Sequence, residues 1–260
     1  MAKIFISSTL MWNAGVGSLL RTVSENGLAG TELWAQHFFC CHGDAAEYAS
    51  LAQHYGLTTM VHSCSWDLNL SSLNEAIRRT SIEQVIASIK LARRVDAVEV
   101  TVHPGHMTRP DCRAESAALM RASLEEIAKA SRDFEMPVSL EVMEKIPKEF
   151  VTSPAAMKEI VGDLFERFVY TIDTAHCDSE DEIETALRDM PRLSKIHVSN
   201  RRGNQYHTPL SDGDFSFARL LPKLASCGVP LVVEGFDASD DCEVLKKNVA
   251  FLSQVGILTK

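Results

Sequence analysis

A closed (β/α)8 barrel is the fold this sequence predicts, on three observations. Short apolar segments recur at fairly even intervals, each followed by a longer stretch of helical spacing. Several of these segments, such as AVEVTVH, VYTID and VPLVVE, are nearly continuous apolar runs rich in β-branched residues. Such runs belong to parallel strands covered on both faces. The chain has 260 residues, close to the roughly 250 of one complete TIM barrel. No linker or low-complexity segment divides it, so residues 1–260 are expected to form one domain.

The eight strands are expected at 3–8, 30–35, 58–62, 97–103, 138–142, 168–173, 194–199 and 230–234. Between them, SSLNEAIRRTSIEQVIASIKLARR and RAESAALMRASLEEIAKASRDF carry apolar residues at three- and four-residue spacing, the stripe of a helix packed on a sheet. SPAAMKEIVGDLFERF, DEIETALRDM, FSFARLLPKLASCG and CEVLKKNVAFLSQVG also have helical character. Gly56 and Gly228 each end a helical stretch before a strand, the place of a C-terminal cap. A doubly wound open sheet is the structural alternative. Eight alternations without a β-meander favour closure.

Composition narrows the function classes. Hydrophobic residues make up 45% and charged residues 23%, ordinary for a globular chain with a large core. No apolar run approaches the ~20 residues that span a bilayer. The opening MAKIFISSTL has no signal-peptide pattern, so a cytoplasmic location is expected, without a membrane partner. The seven cysteines are scattered, odd in number and without a CxxC, and read as free thiols. A net charge of −9 with interspersed signs disfavours nucleic acid and suits a small-molecule substrate or a bound cation. A homo-oligomer is compatible with all of this.

The chemistry lies at the strand ends. His62 ends the third strand and His103 the fourth, within VTVHPGH. Glu141 lies near the end of the fifth, in SLEVME; Asp173 ends the sixth, in TIDTAHC, with His176 three residues on. His197 lies in the seventh and Glu234 ends the eighth. In a parallel barrel these positions converge on the face where active sites are built. A single strand histidine is usually a satisfied polar residue, and a strand-end carboxylate can cap the next helix. Three carboxylates buried together are different, because unpaired buried charges are costly and call for a cation. Nitrogen and oxygen donors suit a divalent metal such as Zn, Mn, Co or Mg. Trp34, Trp66 and Phe236 beside strand ends are expected to wall a pocket or pack the core, and Glu32 to make a structural hydrogen bond.

The ordered words VHSCSWDLNL, VHPG, LEV, DTAH, IHVSN, HTPLSDG and VVEG run from about residue 58 to 237. In this order they resemble the xylose isomerase-like barrel superfamily, which includes endonuclease IV and sugar-phosphate isomerases and epimerases. The resemblance implies that Glu141, Asp173, His197 and Glu234 hold one metal. It implies that His62 and His103 complete a second position, as in endonuclease IV. His176 and His207 match two ligands of that enzyme's third zinc, but its aspartate two residues before the second histidine is replaced here by Gln205. His176 also matches a substrate-binding histidine of the epimerases, so His176 and His207 are expected at the substrate. Arg201 and Arg202 are candidates for holding a phosphate or hydroxyl, or a solvated loop pair.

Two activities follow from the resemblance. The first is isomerisation or epimerisation of a small sugar or sugar phosphate through an enediolate, with Glu141 and Glu234 as catalytic proton carriers on opposite faces. The second is a metal-dependent phosphodiester hydrolase with a two-metal site. Gln205 and the acidic balance count against the second.

Overall fold

The computed structural model describes residues 2–258. Among these residues ten strands occur in chain order: β1 (Ile4–Ser7), β2 (Gly30–Trp34), β3 (Thr58–His62), β4 (Val100–Val102), β5 (Val138–Val142), β6 (Val169–Asp173), β7 (Leu193–Val198), β8 (Asn200–Arg202), β9 (Gln205–Thr208) and β10 (Leu231–Val233). All except β8 and β9 pair in parallel and close a barrel, in which β1 is flanked by β2 and β10. The predicted single (β/α)8 TIM barrel is therefore the observed fold.

Nine helices cover it: α1 (Val16–Glu25), α2 (Ala35–Cys40), α3 (Ala45–His54), α4 (Glu75–Arg94), α5 (Arg113–Asp133), α6 (Pro154–Val161), α7 (Glu180–Asp189), α8 (Phe217–Ser226) and α9 (Glu243–Gln254), counted among the described residues. Asn74 caps α4 by accepting the Ala76 N–H at 3.0 Å, and Ser179 caps α7 by accepting that of Glu182 at 3.1 Å. Gly56 and Gly228 follow α3 and α8 at φ +65° and +74°, the left-handed termination expected of them. The helix anticipated over 153–168 is broken at Gly162, whose φ of +61° stops α6 and leaves a 3-10 segment, Gly162–Arg167.

Period-two alternation divides the strands' side chains between two layers. Ile4, Ile6, Leu33, Val61, Val100, Leu140, Ile172, Ile196, Val198, Leu231 and Val233 belong to the main core with the helices. The intervening residues occupy the barrel interior, where Phe5, Met60 and Val232 form a separate small apolar cluster. The rest of that interior is polar: Glu32, Thr101, Ser139, Thr171, Lys195 and His197 are all fully buried. Register then carries the interior rows up to one rim, with His62 beside Thr101 and Asp173 beside His197.

The β8–β9 hairpin was not anticipated. It turns through Gly203 (φ +55°) and Asn204 directly after β7 and puts Gln205, Tyr206 and His207 on the cavity wall. All seven cysteines are free. Among the described residues, no helix is long and apolar enough to cross a membrane.

Candidate metal centre

Strand ends supply the floor of one cavity of about 1180 Å³. Glu141, Asp173, His197 and Glu234 each present one donor atom, and the four atoms lie within 4.8 Å of one another. His197 Nδ1 is 3.1 Å from Glu234 Oε1 and 3.4 Å from Glu141 Oε1. All four residues are buried. Asp173 is aimed by a local turn: its Oδ1 accepts the Ala175 N–H at 2.6 Å, which leaves Oδ2 for the site.

Both Glu141 oxygens, Asp173 Oδ2, Glu234 Oε1 and His197 Nδ1 are buried and make no hydrogen bond. Buried polar atoms are almost always satisfied, so five orphans facing one another require an explanation. A divalent cation provides one: it takes acceptor atoms only, at short range, and offsets the carboxylate charge. The donor set therefore fits a hard or borderline metal.

Electrostatics tell the same story. Burial pushes Glu234 up, and Asp173, Glu141 and Glu32 push it further, so it stands well above its ordinary value despite His197. Burial also raises Glu141, but His197 and His103 outweigh it and hold that carboxylate well below. Burial would discharge His197, yet Glu234, Glu32 and Glu141 keep it well above the usual histidine value. Without a cation these carboxylates cannot all be ionised, and protons take the place a metal would fill.

Two further groups adjoin the first. His62, His103 and Glu141 form one. His62 Nδ1 lies 2.9 Å from the Ser63 carbonyl, an acceptor, so it carries the proton and Nε2 is left as the lone pair. That Nε2 is 3.0 Å from His103 Nε2 and 3.6 Å from Glu141 Oε2. Trp34 stacks flat on His62, with centroids 4.1 Å apart at 9°, and fixes the ring. Asp173, His176 and His207 form the other group. His176 is held by a 2.8 Å contact from Nδ1 to the Val142 carbonyl, and His207 by a 3.0 Å contact to Ser199 Oγ.

The cavity wall combines aromatic and acidic residues. Trp34, Trp66 and Phe236 all line it, and Trp66 leans on Trp12 at 5.0 Å. Glu144 and Glu149 line it too, and neither had been singled out in the sequence. Burial raises Glu149 to about 7, helped by neighbouring Glu144 and opposed by Lys148. The arginines depart from expectation, for neither Arg201 nor Arg202 lines the cavity. Arg201 is buried, donating from Nη1 to the Cys177 carbonyl at 2.7 Å and to Asp178 at 2.9 Å, while Arg202 pairs with Asp212 at the surface.

Beneath the floor lies a buried network around Glu32, the residue expected to make a structural hydrogen bond; its partners Thr101, Lys195 and Glu99 had not been singled out. Glu32 Oε2 sits 2.8 Å from His197 Nε2, and its Oε1 accepts from Thr101 Oγ1. Lys195, fully buried, pairs with Glu99 and is 3.6 Å from Glu32 Oε1. Burial raises Glu32, but His197 and Lys195 outweigh it and hold the carboxylate below its ordinary value. Only the strand alternation around TELW could have indicated that Glu32 points inward.

This combination of barrel and rim belongs to a recognised class. Residues 20–255 match the xylose isomerase-like TIM barrel, and the chain belongs to that family. A relative from Methanocaldococcus jannaschii, the uncharacterized protein MJ1311, is 23% identical over 97% of this chain and 91% of its own length. Among solved structures, a D-tagatose 3-epimerase-like protein superposes with a TM-score of 0.77 at 22% identity, covering 97% of this chain and 98% of its own. An L-ribulose 3-epimerase gives a TM-score of 0.80 at 18% identity, covering 98% and 94%. At these identities the likeness establishes the fold.

Proposed function

We propose that this protein is a divalent-metal-dependent isomerase or epimerase of a small sugar, acting through an enediolate. The observation that carries the reading is the buried four-residue group Glu141, Asp173, His197 and Glu234, with its unpartnered donor atoms facing one point. These residues would hold the metal. When bound, a divalent cation supplies Lewis-acid stabilisation of the negative charge that develops as the substrate loses its α-proton.

The chain's own residues supply the rest. Glu141 on β5 and Glu234 after β10 reach the same spot from different sides of the rim, each approaching His197 Nδ1. One removes the proton from the carbon between carbonyl and hydroxyl, and the other returns a proton to the opposite face. His176 and His207, held by Val142 and Ser199, border the cavity where substrate hydroxyls would sit. The lining includes Asp67, Glu141, Glu144, Glu149 and Glu234 against one lysine, Lys148. With Arg201 and Arg202 turned away, that balance favours an uncharged sugar over a phosphate ester. Trp34, Trp66 and Phe236 would give the sugar's apolar faces a surface to lie against. The structural likeness to a D-tagatose 3-epimerase-like protein and an L-ribulose 3-epimerase supports this substrate class.

The His62–His103–Glu141 group favours a second reading, a two-metal phosphodiester hydrolase. The acidic lining weighs against it, because a polyanionic substrate would need basic contacts. Metal analysis of purified protein, combined with a screen of ketoses and phosphodiesters, separates the two. One tightly bound metal with sugar turnover supports the epimerase. Two or three metals with phosphodiester cleavage would replace it with the hydrolase.

A further inference from the structure

We propose that Glu32 is a positioning residue that orients His197 for metal binding and fixes which of its nitrogens is free. The inference rests on the reading of Glu141, Asp173, His197 and Glu234 as a metal site. Glu32 stands on β2, one interior layer below the rim, and is fully buried. Its Oε2 lies 2.8 Å from His197 Nε2. An ionised carboxylate only accepts, so Nε2 of a neutral His197 must carry the proton, and the lone pair is left on Nδ1. Nδ1 is the atom that faces Glu141 and Glu234. The opposite tautomer would point an N–H at the cation and set two acceptors against each other beneath it.

Glu32 is itself held. Thr101 Oγ1 donates to Oε1, and Lys195 Nζ stands 3.6 Å from the same oxygen. Lys195 is anchored in turn by Glu99, whose Oε1 also accepts from Ser194 Oγ at 3.1 Å. The Glu32 carboxylate is thus held through Oε1, by Thr101 and Lys195, while Oε2 stands 2.8 Å from His197 Nε2 with no other polar partner. A buried ion-pair network of this kind is a weak source of stability, since desolvation offsets most of the attraction. Beneath a metal ligand it has a more specific use. Histidine ligands almost always pass their second N–H to a carboxylate or carbonyl, which fixes the ring and strengthens the donor. The same strand also supports a second imidazole, because Trp34, two residues on, stacks on His62.

The test titrates Mn2+ into metal-free protein by calorimetry, for wild type, Glu32→Gln and Thr101→Val, with the apo Tm of each as a stability control. The amide preserves shape and removes the obligate acceptor. Glu32→Gln is expected to weaken Mn2+ binding by about 10- to 100-fold. It should also shift the visible absorption of the Co2+-loaded protein, a change that a purely structural role would not produce. Folded Glu32→Gln with wild-type Mn2+ affinity overturns the proposal, whatever its Tm. If that variant does not fold, Thr101→Val decides, because it keeps every charge and releases only Oε1. Unchanged affinity there overturns the proposal, and a smaller loss in the same direction supports it. Wild-type protein that binds no Mn2+ would instead remove the metal reading itself.

Discussion

Replacing Glu149 with glutamine should make the protein more stable at alkaline pH and leave it nearly unchanged in acid. The Glu149 side chain is only 4% exposed, its Oε2 has no partner, and Lys148 reaches Oε1 only to 3.9 Å from an exposed position. Burial and the nearby Glu144 raise its midpoint from 4.5 to about 7. The folded protein therefore keeps a proton that the unfolded chain has released. The stability tied to that proton is complete below pH 4.5 and is lost as pH rises through about 7. At 1.36 kcal/mol per pH unit, ionised Glu149 costs the fold about 3 kcal/mol at pH 8. Glutamine cannot ionise and escapes that cost. Urea unfolding of wild type and Glu149→Gln, both in chelator, between pH 5 and pH 8 measures the difference directly. The variant's advantage should grow by about 3 kcal/mol across that range, or about 6–12 °C in Tm for a chain of this size. A difference between the two proteins that is the same at pH 5 and pH 8 would mean that burial does not raise Glu149 in the folded protein. The carboxyl lines the cavity, so below pH 7 it would present a hydrogen-bond donor to a substrate hydroxyl.

Three other outcomes are expected. Glu141→Gln and Glu234→Gln should each lower turnover by at least about 10²- to 10⁴-fold with the circular dichroism spectrum preserved, and near-wild-type turnover in either would remove the site assignment. His103→Ala should raise KM and leave one tightly bound metal, because the four-residue group is untouched. Loss of one of two stoichiometric metals together with collapse of kcat would promote the hydrolase. Duplex DNA, abasic or intact, should not bind with sub-micromolar affinity at ~0.15 M salt, given a net charge of −9 and an acidic cavity. Filter binding across a salt series checks this.

The barrel was legible because its signal is redundant. Eight apolar segments and their helices point to one topology, and placing His62, Glu141, Asp173 and Glu234 at strand ends is enough to bring them to one rim. Rows of alternating side chains were harder to see where the interior is polar. Glu32 and Thr101 meet across 69 residues, and Lys195 meets Glu99 across 96, so no local word marks either pair. Glu144 and Glu149 follow β5 in an irregular segment whose direction no period predicts. The arginines illustrate the opposite error. RR after a site histidine suggests an anion clamp, but the β8–β9 pleat sends consecutive side chains to opposite faces, one onto Asp178 and the other onto Asp212.

If Glu141 and Glu234 carry a proton to and from a substrate carbon beside a metal that they would help to hold, solvent hydrogen must enter the product. Incubating the Mn2+-loaded protein with a panel of unphosphorylated ketohexoses in D2O, and reading product mass and proton NMR, tests it most directly. The expected product is an epimerised or isomerised sugar carrying one solvent deuterium at the carbon next to the carbonyl, with no incorporation in Glu141→Gln. Epimerised product that retains its original hydrogen, or cleavage of phosphodiesters without any deuterium entering a sugar, would contradict it.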